Sequence, residues 1–275
     1  MSDTPTRKPT LYRFGAVSYL NARPLIHGLE SDPNVTVACA VPSMLPEMLK
    51  TGQVDAALIP TIDLAGARDR WQIVSDACIA CDGATLTVRV FSRVDPAEIT
   101  TLHVDGDSHT SAALASIIWR EKFNSCVRLI PFQASNLTSP EAPAETEAVL
   151  LIGDKVISPP PGLQTFSTQV DLGATWKSMT GLPFVFAVWV AADPDASVDM
   201  AARLGAARDA GVASAAQIAA EFGPQAGWPI ELARAYLTEN LTFKLGERER
   251  AGMKRFFELA KQYDIIPETG ELVVA

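Results

Sequence analysis

Histidine and cysteine are scarce in this chain, long apolar runs are missing, and basic residues are outnumbered. Only 3 histidines and 4 cysteines occur among 275 residues. His27, His103 and His109 lack metal-ligand spacing, and Cys39, Cys78, Cys81 and Cys126 are too few for a disulfide framework. Cys78 and Cys81 form a CxxC, but with no second pair and few histidines nearby it reads as packed, reduced thiols rather than zinc or redox chemistry. Lysine and arginine total 23 against 32 aspartates and glutamates, a net charge of −9. That balance denies the chain the basic face nucleic acid requires. It also requires any anion site to be built locally, from helix N-termini, hydroxyls and a few cations. No apolar run approaches the ~20 residues that cross a bilayer. Met1 to Pro9 is polar and lacks the apolar core of a secretory leader, so a cytoplasmic protein with no membrane partner is expected. GxGxxG after a strand, a P-loop, HExxH and GxSxG are all absent, which removes support for nucleotide-dependent chemistry, zinc proteolysis and elbow-serine hydrolysis.

Hydrophobic residues make up 48% of the chain, enough for one large core or two modest ones. The early pattern alternates. Leu11 to Val17 reads as a strand, and Ser18 to Leu29 as a turn and helix with Pro24 in its first turn. Val35 to Val41 is a strand, the MLPEMLKTG stretch is a helix ending at Gly52, and Val54 to Ile59 is a short apolar strand. Strand, helix, strand, helix, strand implies parallel βαβ units. Ile73 to Cys81 and Thr85 to Ser92 are strand-like. Thr101 to Val104 runs into a helix over Thr110 to Glu121, marked by Ala113, Leu114, Ile117 and Ile118 at helical spacing. Val127 to Phe132, Ala148 to Ile152 and Leu182 to Ala191 are further strands, and Ser135 to Thr146 includes a loop. From Val198 onward the pattern is helical. This order predicts an α/β protein of two lobes, residues 1–92 with 188–275 and residues 93–187, joined by crossing segments near Phe91-Ser92 and Trp189. One continuous sheet is the alternative.

In open parallel α/β sheets ligands bind where strands end and helices begin. Four strand ends carry polar residues: Ser18 to Asn21, Pro60-Thr61, Asp105 to Ser111, and Gly153-Asp154. Gly106 to Ser111 (GDSHTS) joins small residues to the hydroxyls of Ser108, Thr110 and Ser111 at a helix N-terminus, a setting that suits a carboxylate and equally suits N-capping. Asn21 stands where a strand becomes a helix; its amide can donate to a leaving hydroxyl or a carboxylate while staying neutral, or it can simply form the turn. Arg23 could pair with a carboxylate or lie solvated. Asp154 could be a general base, an orienter or a cap. Thr87 could face a cleft or fill a β position.

Several stretches together resemble one family. Val17 to Leu29 (VSYLNARPLIHGL) is similar to the opening signature of the menaquinone biosynthetic enzymes that dehydrate chorismate. The likeness continues through VPSMLPEMLKTGQVDAALIP, CIACDGATLTVRVFSRV, HVDGDSHTSAAL, AVLLIGD and DLGATWKSMTGLPFVFAVW to YLTENLTFKLGERERAGMKRFFELAKQY. It implies a type II periplasmic-binding-protein-like fold with the site in the interlobe cleft. The activity it implies is a hydro-lyase that converts chorismate to 3-[(1-carboxyvinyl)oxy]benzoate in the futalosine route. No metal or organic cofactor is implied, and a monomer or homodimer is expected. Asn21 matches the family's active-site asparagine, and Ser108, Thr110 and Ser111 its hydroxyl-bearing loop. Ser18, Tyr19, Arg23, Thr87 and Gly153 complete the expected substrate contacts, with Asn21 and Asp154 as the expected catalytic residues; the base is either Asp154 or the substrate's own carboxylate. Two departures stand out: the family usually has serine at Thr87 and often proline at Ala84. Rival readings are a non-catalytic carboxylate-binding protein of the same fold and the sister enzyme that forms 1,4-dihydroxy-6-naphthoate. A regulator's effector lobe is disfavoured, since no DNA-reading helix pair precedes it.

Overall fold

A computed structural model of the chain describes residues 11–66, 71–133, 146–192 and 198–266. The loop expected at Ser135 to Thr146 falls, except for its last residue, outside the described residues. In chain order the first elements are β1 (Tyr12–Val17), β2 (Val35–Ala40), α1 (Leu45–Lys50), β3 (Ala56–Pro60), β4 (Gln72–Cys81) and β5 (Val88–Ser92). There follow β6 (Thr101–Asp105), α2 (His109–Phe123), β7 (Arg128–Phe132), β8 (Ala148–Ile152), β9 (Thr168–Asp171), α3 (Leu172–Thr180) and β10 (Phe184–Ala191). The chain closes with α4 (Val198–Ala213), α5 (Ala215–Phe222), α6 (Ile230–Ala235), β11 (Leu241–Lys244) and α7 (Glu247–Gln262).

The strands form two sheets, not one. The first has the order β11-β4-β10-β3-β1-β2 and the second β7-β6-β8-β5-β9. As the alternating pattern predicted, β1 pairs in parallel with both β2 and β3. The sheet changes between Cys81 and Val88 on the way out and between Asp171 and Phe184 on the way back. Both changes come a few residues ahead of the expected boundaries at 92 and 187, because β5 already pairs with β8 and β9. β10 explains its own apolar, aromatic sequence: it lies between β3 and β4, and Val188, Trp189 and Val190 are fully buried. Such two-sided burial favours an unbroken hydrophobic run over alternation. The Trp189 ring meets Phe14 edge-on at 5.8 Å, a geometry aromatic quadrupoles favour.

Two local expectations are corrected. Thr85 to Ser92 is not all strand. Leu86 has φ +61, and the Thr87 N–H donates to the Thr85 carbonyl at 2.7 Å, so a tight three-residue turn precedes β5. The β-branched composition of the stretch concealed it. The C-terminal region is also not wholly helical. α6 opens into a wide π-type turn over Tyr236–Asn240, and β11 then pairs antiparallel with β4. Leu241 and Phe243 are buried there, so the free edge of β4 recruits residues that helical periodicity had claimed.

Candidate active site

All four polar strand ends converge on one cavity. β1 leads into a short 3-10 helix, Leu20–Ile26, and contributes Tyr19 and Asn21 to the wall; β3 contributes Pro60. From the second sheet come Ser108 and Ser111 at the start of α2 and Gly153 after β8. Thr85 and Thr87, on the passage between sheets, complete the polar lining, while Val17, Ile79, Val88, Ile152 and Phe186 make the rest apolar. The helix bearing Asn21 lies against α4 because of Gly211: a Cβ there would stand 1.9 Å from the Pro24 carbonyl oxygen. At the other wall Gly153, at φ +66, lets Tyr19 approach, since a Cβ would sit 2.7 Å from its ring.

The two walls are bonded together at the mouth. The Tyr19 hydroxyl donates to Asp107 Oδ2 at 2.9 Å, and the Ser43 N–H to the Asp107 carbonyl at 3.1 Å. Lys155 lies 2.6 Å from Asp107 Oδ2 and also contacts Asp105. Burial, helped by the bond to Asp107 and by the nearby carboxylates, pushes the Tyr19 hydroxyl far above its usual range, so it stays neutral. Burial likewise raises Asp105 against the opposing pull of Lys155.

Of the expected residues, Tyr19, Asn21, Thr87, Ser108, Ser111 and Gly153 meet at the cavity, whereas Ser18, Arg23, Thr110 and Asp154 do not line it. Ser18 is exposed, and its N–H donates to the Ala40 carbonyl at 2.9 Å. The Arg23 guanidinium stacks over Phe222 at 4.5 Å. Thr110 Oγ1 accepts from the Ile62 N–H at 3.2 Å, joining α2 to the segment after β3. Asp154 accepts from the Trp228 indole at 2.9 Å and from the Leu20 N–H at 3.3 Å. One oxygen therefore braces the start of the Asn21 helix and the other holds Trp228. Burial raises the Asp154 carboxyl, and the Trp228 and Leu20 bonds oppose that rise.

The polar lining divides by how each group is satisfied. Ser108 caps α2: its Oγ accepts from the Ser111 N–H at 3.2 Å and donates to Ser111 Oγ at 2.8 Å. Thr87 Oγ1 instead lies 2.7 Å from the Tyr236 hydroxyl, far away in the chain. Asn21 Oδ1 is buried with no hydrogen-bond partner, an arrangement proteins seldom tolerate without a ligand or water. The turn before β5 is held by Asp171, whose carboxylate accepts from the N–H groups of Thr85 at 3.1 Å, Leu86 at 2.9 Å and Ala174 at 3.0 Å. At Ala84 the carbonyl accepts from Asn240 Nδ2 at 3.0 Å. Sequence reasoning missed Thr85, Phe186, Tyr236 and Asp171, since no local pattern marks a residue whose partner lies on another element.

The cysteines are free, with Cys78 and Cys81 buried on β4. Burial pushes the Cys81 thiol up to about 12, which makes it a poor nucleophile or metal ligand. Among the described residues no group of three or more His, Cys, Asp or Glu could hold a metal ion. No described helix is long and apolar enough to cross a membrane.

Two sheets bridged by crossing segments, with a cavity fed by strand ends from both, define a two-lobed α/β protein of the periplasmic-binding-protein class. The alkanesulfonate-binding protein of Xanthomonas axonopodis pv. citri superposes with a TM-score of 0.68 at 12% identity, over 96% of each chain. The type II fold expected from the resemblance is therefore present. Sequence relatives narrow the class. The chorismate dehydratase of Thermus thermophilus is 28% identical over 264 residues, covering 90% of this chain and 94% of that protein. That of Campylobacter jejuni subsp. jejuni serotype O:23/36 (strain 81-176) is 26% identical over 259 residues, covering 92% and 99%. The profile of the menaquinone biosynthesis family matches residues 12–262. The chain belongs to that family.

Proposed function

We propose that the protein is a cytoplasmic chorismate dehydratase, a hydro-lyase that converts chorismate to 3-[(1-carboxyvinyl)oxy]benzoate and water in the futalosine route to menaquinone. The relatives that carry this name along nearly their whole length support the reaction class. The observation that carries the reading is Asn21 Oδ1, buried and unpartnered beside the hydroxyls of Thr87, Ser108 and Ser111.

In the proposed reaction the C3–H bond breaks and its electrons form the C3–C4 double bond. The C4–O bond breaks in turn, and the departing hydroxyl takes a proton to leave as water. Aromaticity of the ring drives the step. Asn21 Oδ1 receives the C4 hydroxyl's hydrogen bond and so fixes the direction of the leaving group. Ser108 and Ser111, at the positive end of α2, hold the ring carboxylate. Among the described residues the lining side chains include no carboxylate, imidazole or amine. For that reason we assign the base role to the substrate's own enolpyruvyl carboxylate, which takes the C3 proton and delivers it to the leaving oxygen. Asp154 serves as a brace through Leu20 and Trp228. The lobes that close over the substrate meet at the two changes of sheet, and hinge motion there admits it.

The test is direct. Purified protein is mixed with chorismate and the products are identified by mass. An aromatic product lighter by one water supports the reading. Binding with the ligand recovered unchanged would turn the protein into a carboxylate receptor.

A further inference from the structure

We propose that Tyr236 is a positioning residue for the dehydration, aiming the Thr87 hydroxyl into the cavity as a donor. The proposal rests on reading the cavity as the dehydratase site.

Tyr236 does not line the cavity, so it acts on the ligand only through its neighbours. Its ring is 1% exposed and stacks on Trp228 with centroids 4.7 Å apart and planes inclined by 23°. Trp228 is itself tied to Asp154 at 2.9 Å. The backbone of Tyr236 opens a π-type turn, a distortion that recurs at functional sites. Together these fix where the phenol oxygen lies.

Proton placement then follows from the partners. Among the described residues the hydrogen-bond partner of the Tyr236 hydroxyl is Thr87 Oγ1. Burial keeps the phenol protonated, and Thr87 Oγ1 at 2.7 Å is the acceptor for its proton. Thr87 must then direct its own proton elsewhere. Among the described residues it finds only the Thr85 carbonyl at 3.4 Å, the far edge of hydrogen-bonding range. A ligand oxygen in the cavity is the better acceptor. The result is a relay, Tyr236 O–H to Thr87 O–H to ligand, in which the phenol orients the hydroxyl. It also accounts for a threonine in place of the family's usual serine, since the hydroxyl is what the relay needs.

The experiment compares steady-state chorismate turnover by the wild type, Tyr236→Phe, Thr87→Val, Thr87→Ser and the doubles carrying Tyr236→Phe. Phenylalanine keeps the stack on Trp228 and removes only the hydroxyl, and a thermal melt checks that the fold is intact. Loss of one oriented buried hydrogen bond should lower kcat by about 5- to 100-fold with KM within about 3-fold, because substrate-binding groups are untouched. In the Thr87→Val background the same change should cost less than about 3-fold, since its acceptor is gone, whereas in Thr87→Ser it should keep its full effect. Wild-type kcat in Tyr236→Phe, a loss confined to KM, or single effects that multiply in the Thr87→Val double would overturn the proposal and leave the dehydratase reading standing. No turnover by the wild type would bring down both.

Discussion

The two polar walls of the cavity are built in opposite ways. On the α2 side, Ser108 and Ser111 satisfy each other across three residues, and the donors and acceptors form one capped helix start. On the side of Asn21 and Thr87, the side-chain bonds that join one element to another are remote in sequence. Thr87 meets Tyr236 across 149 positions, Leu20 meets Asp154 across 134, and Leu86 meets Asp171 across 85. The first wall can form as soon as its helix does; the second exists only once both sheets and the C-terminal segment are assembled. Locally closed hydrogen bonds make a binding surface that survives small disturbances. Remotely closed ones leave some valence unsatisfied, such as Asn21 Oδ1, and that is where reactivity can be placed.

The largest effect should come from the reactive wall. Asn21→Ala should cut kcat for chorismate by about 10²- to 10³-fold, the cost of losing one preorganised group at the reacting centre. Near-normal turnover with unchanged KM would remove Asn21 from the mechanism.

Next comes the remote support of that wall. Asp171→Ala strips the acceptor from three backbone N–H groups and should destabilise the fold by about 2–3 kcal/mol in urea unfolding. A loss below about 0.5 kcal/mol would mean that the turn through Leu86 is held by something else. Ser108→Ala, on the locally closed wall, should cost only about 1 kcal/mol, the usual loss for an N-cap. If it cost more than Asp171→Ala, the contrast between the walls would be broken.

The smallest effect concerns His109, whose ring lies 2.9 Å from Asp63 Oδ2 and ties α2 to the segment after β3. The bond to Asp63 raises the His109 pKa, with burial opposing and the Asp63 charge assisting. A folded-state value above the unfolded one near 6.5 means the contribution is complete below about pH 6.5 and is lost as pH rises through the raised value. The pair is half exposed, so His109→Gln should lose less than about 1 kcal/mol at pH 6 and nothing at pH 9. Equal losses at both pH values would assign His109 a packing role instead.

The polar strand ends were legible because each is a local event: an apolar run stops, and small or hydroxyl-bearing residues begin. Asn21, Ser108, Ser111 and Gly153 were found that way. Asp154 was found too, with base, orienter and cap left open, because its position gives no sign that Trp228 and Leu20 are the partners of its oxygens. Tyr236 left no trace in a stretch that reads as helix. Thr85 to Thr87 looked like strand because β-branched residues favour extended backbone, and only the carboxylate of Asp171 shows why the chain turns there.

By itself the sequence determined the alternation of strands and helices, the buried centre of the first sheet and the net negative charge, all of which depend on periodicity and composition. Tertiary structure alone decided which strand joined which sheet, that Leu241 to Lys244 became a strand on the edge of β4, and which atom of the cavity was left without a partner. Those outcomes are competitions among groups far apart in the chain, and a hydrogen bond between them is worth forming only after the intervening segments have packed.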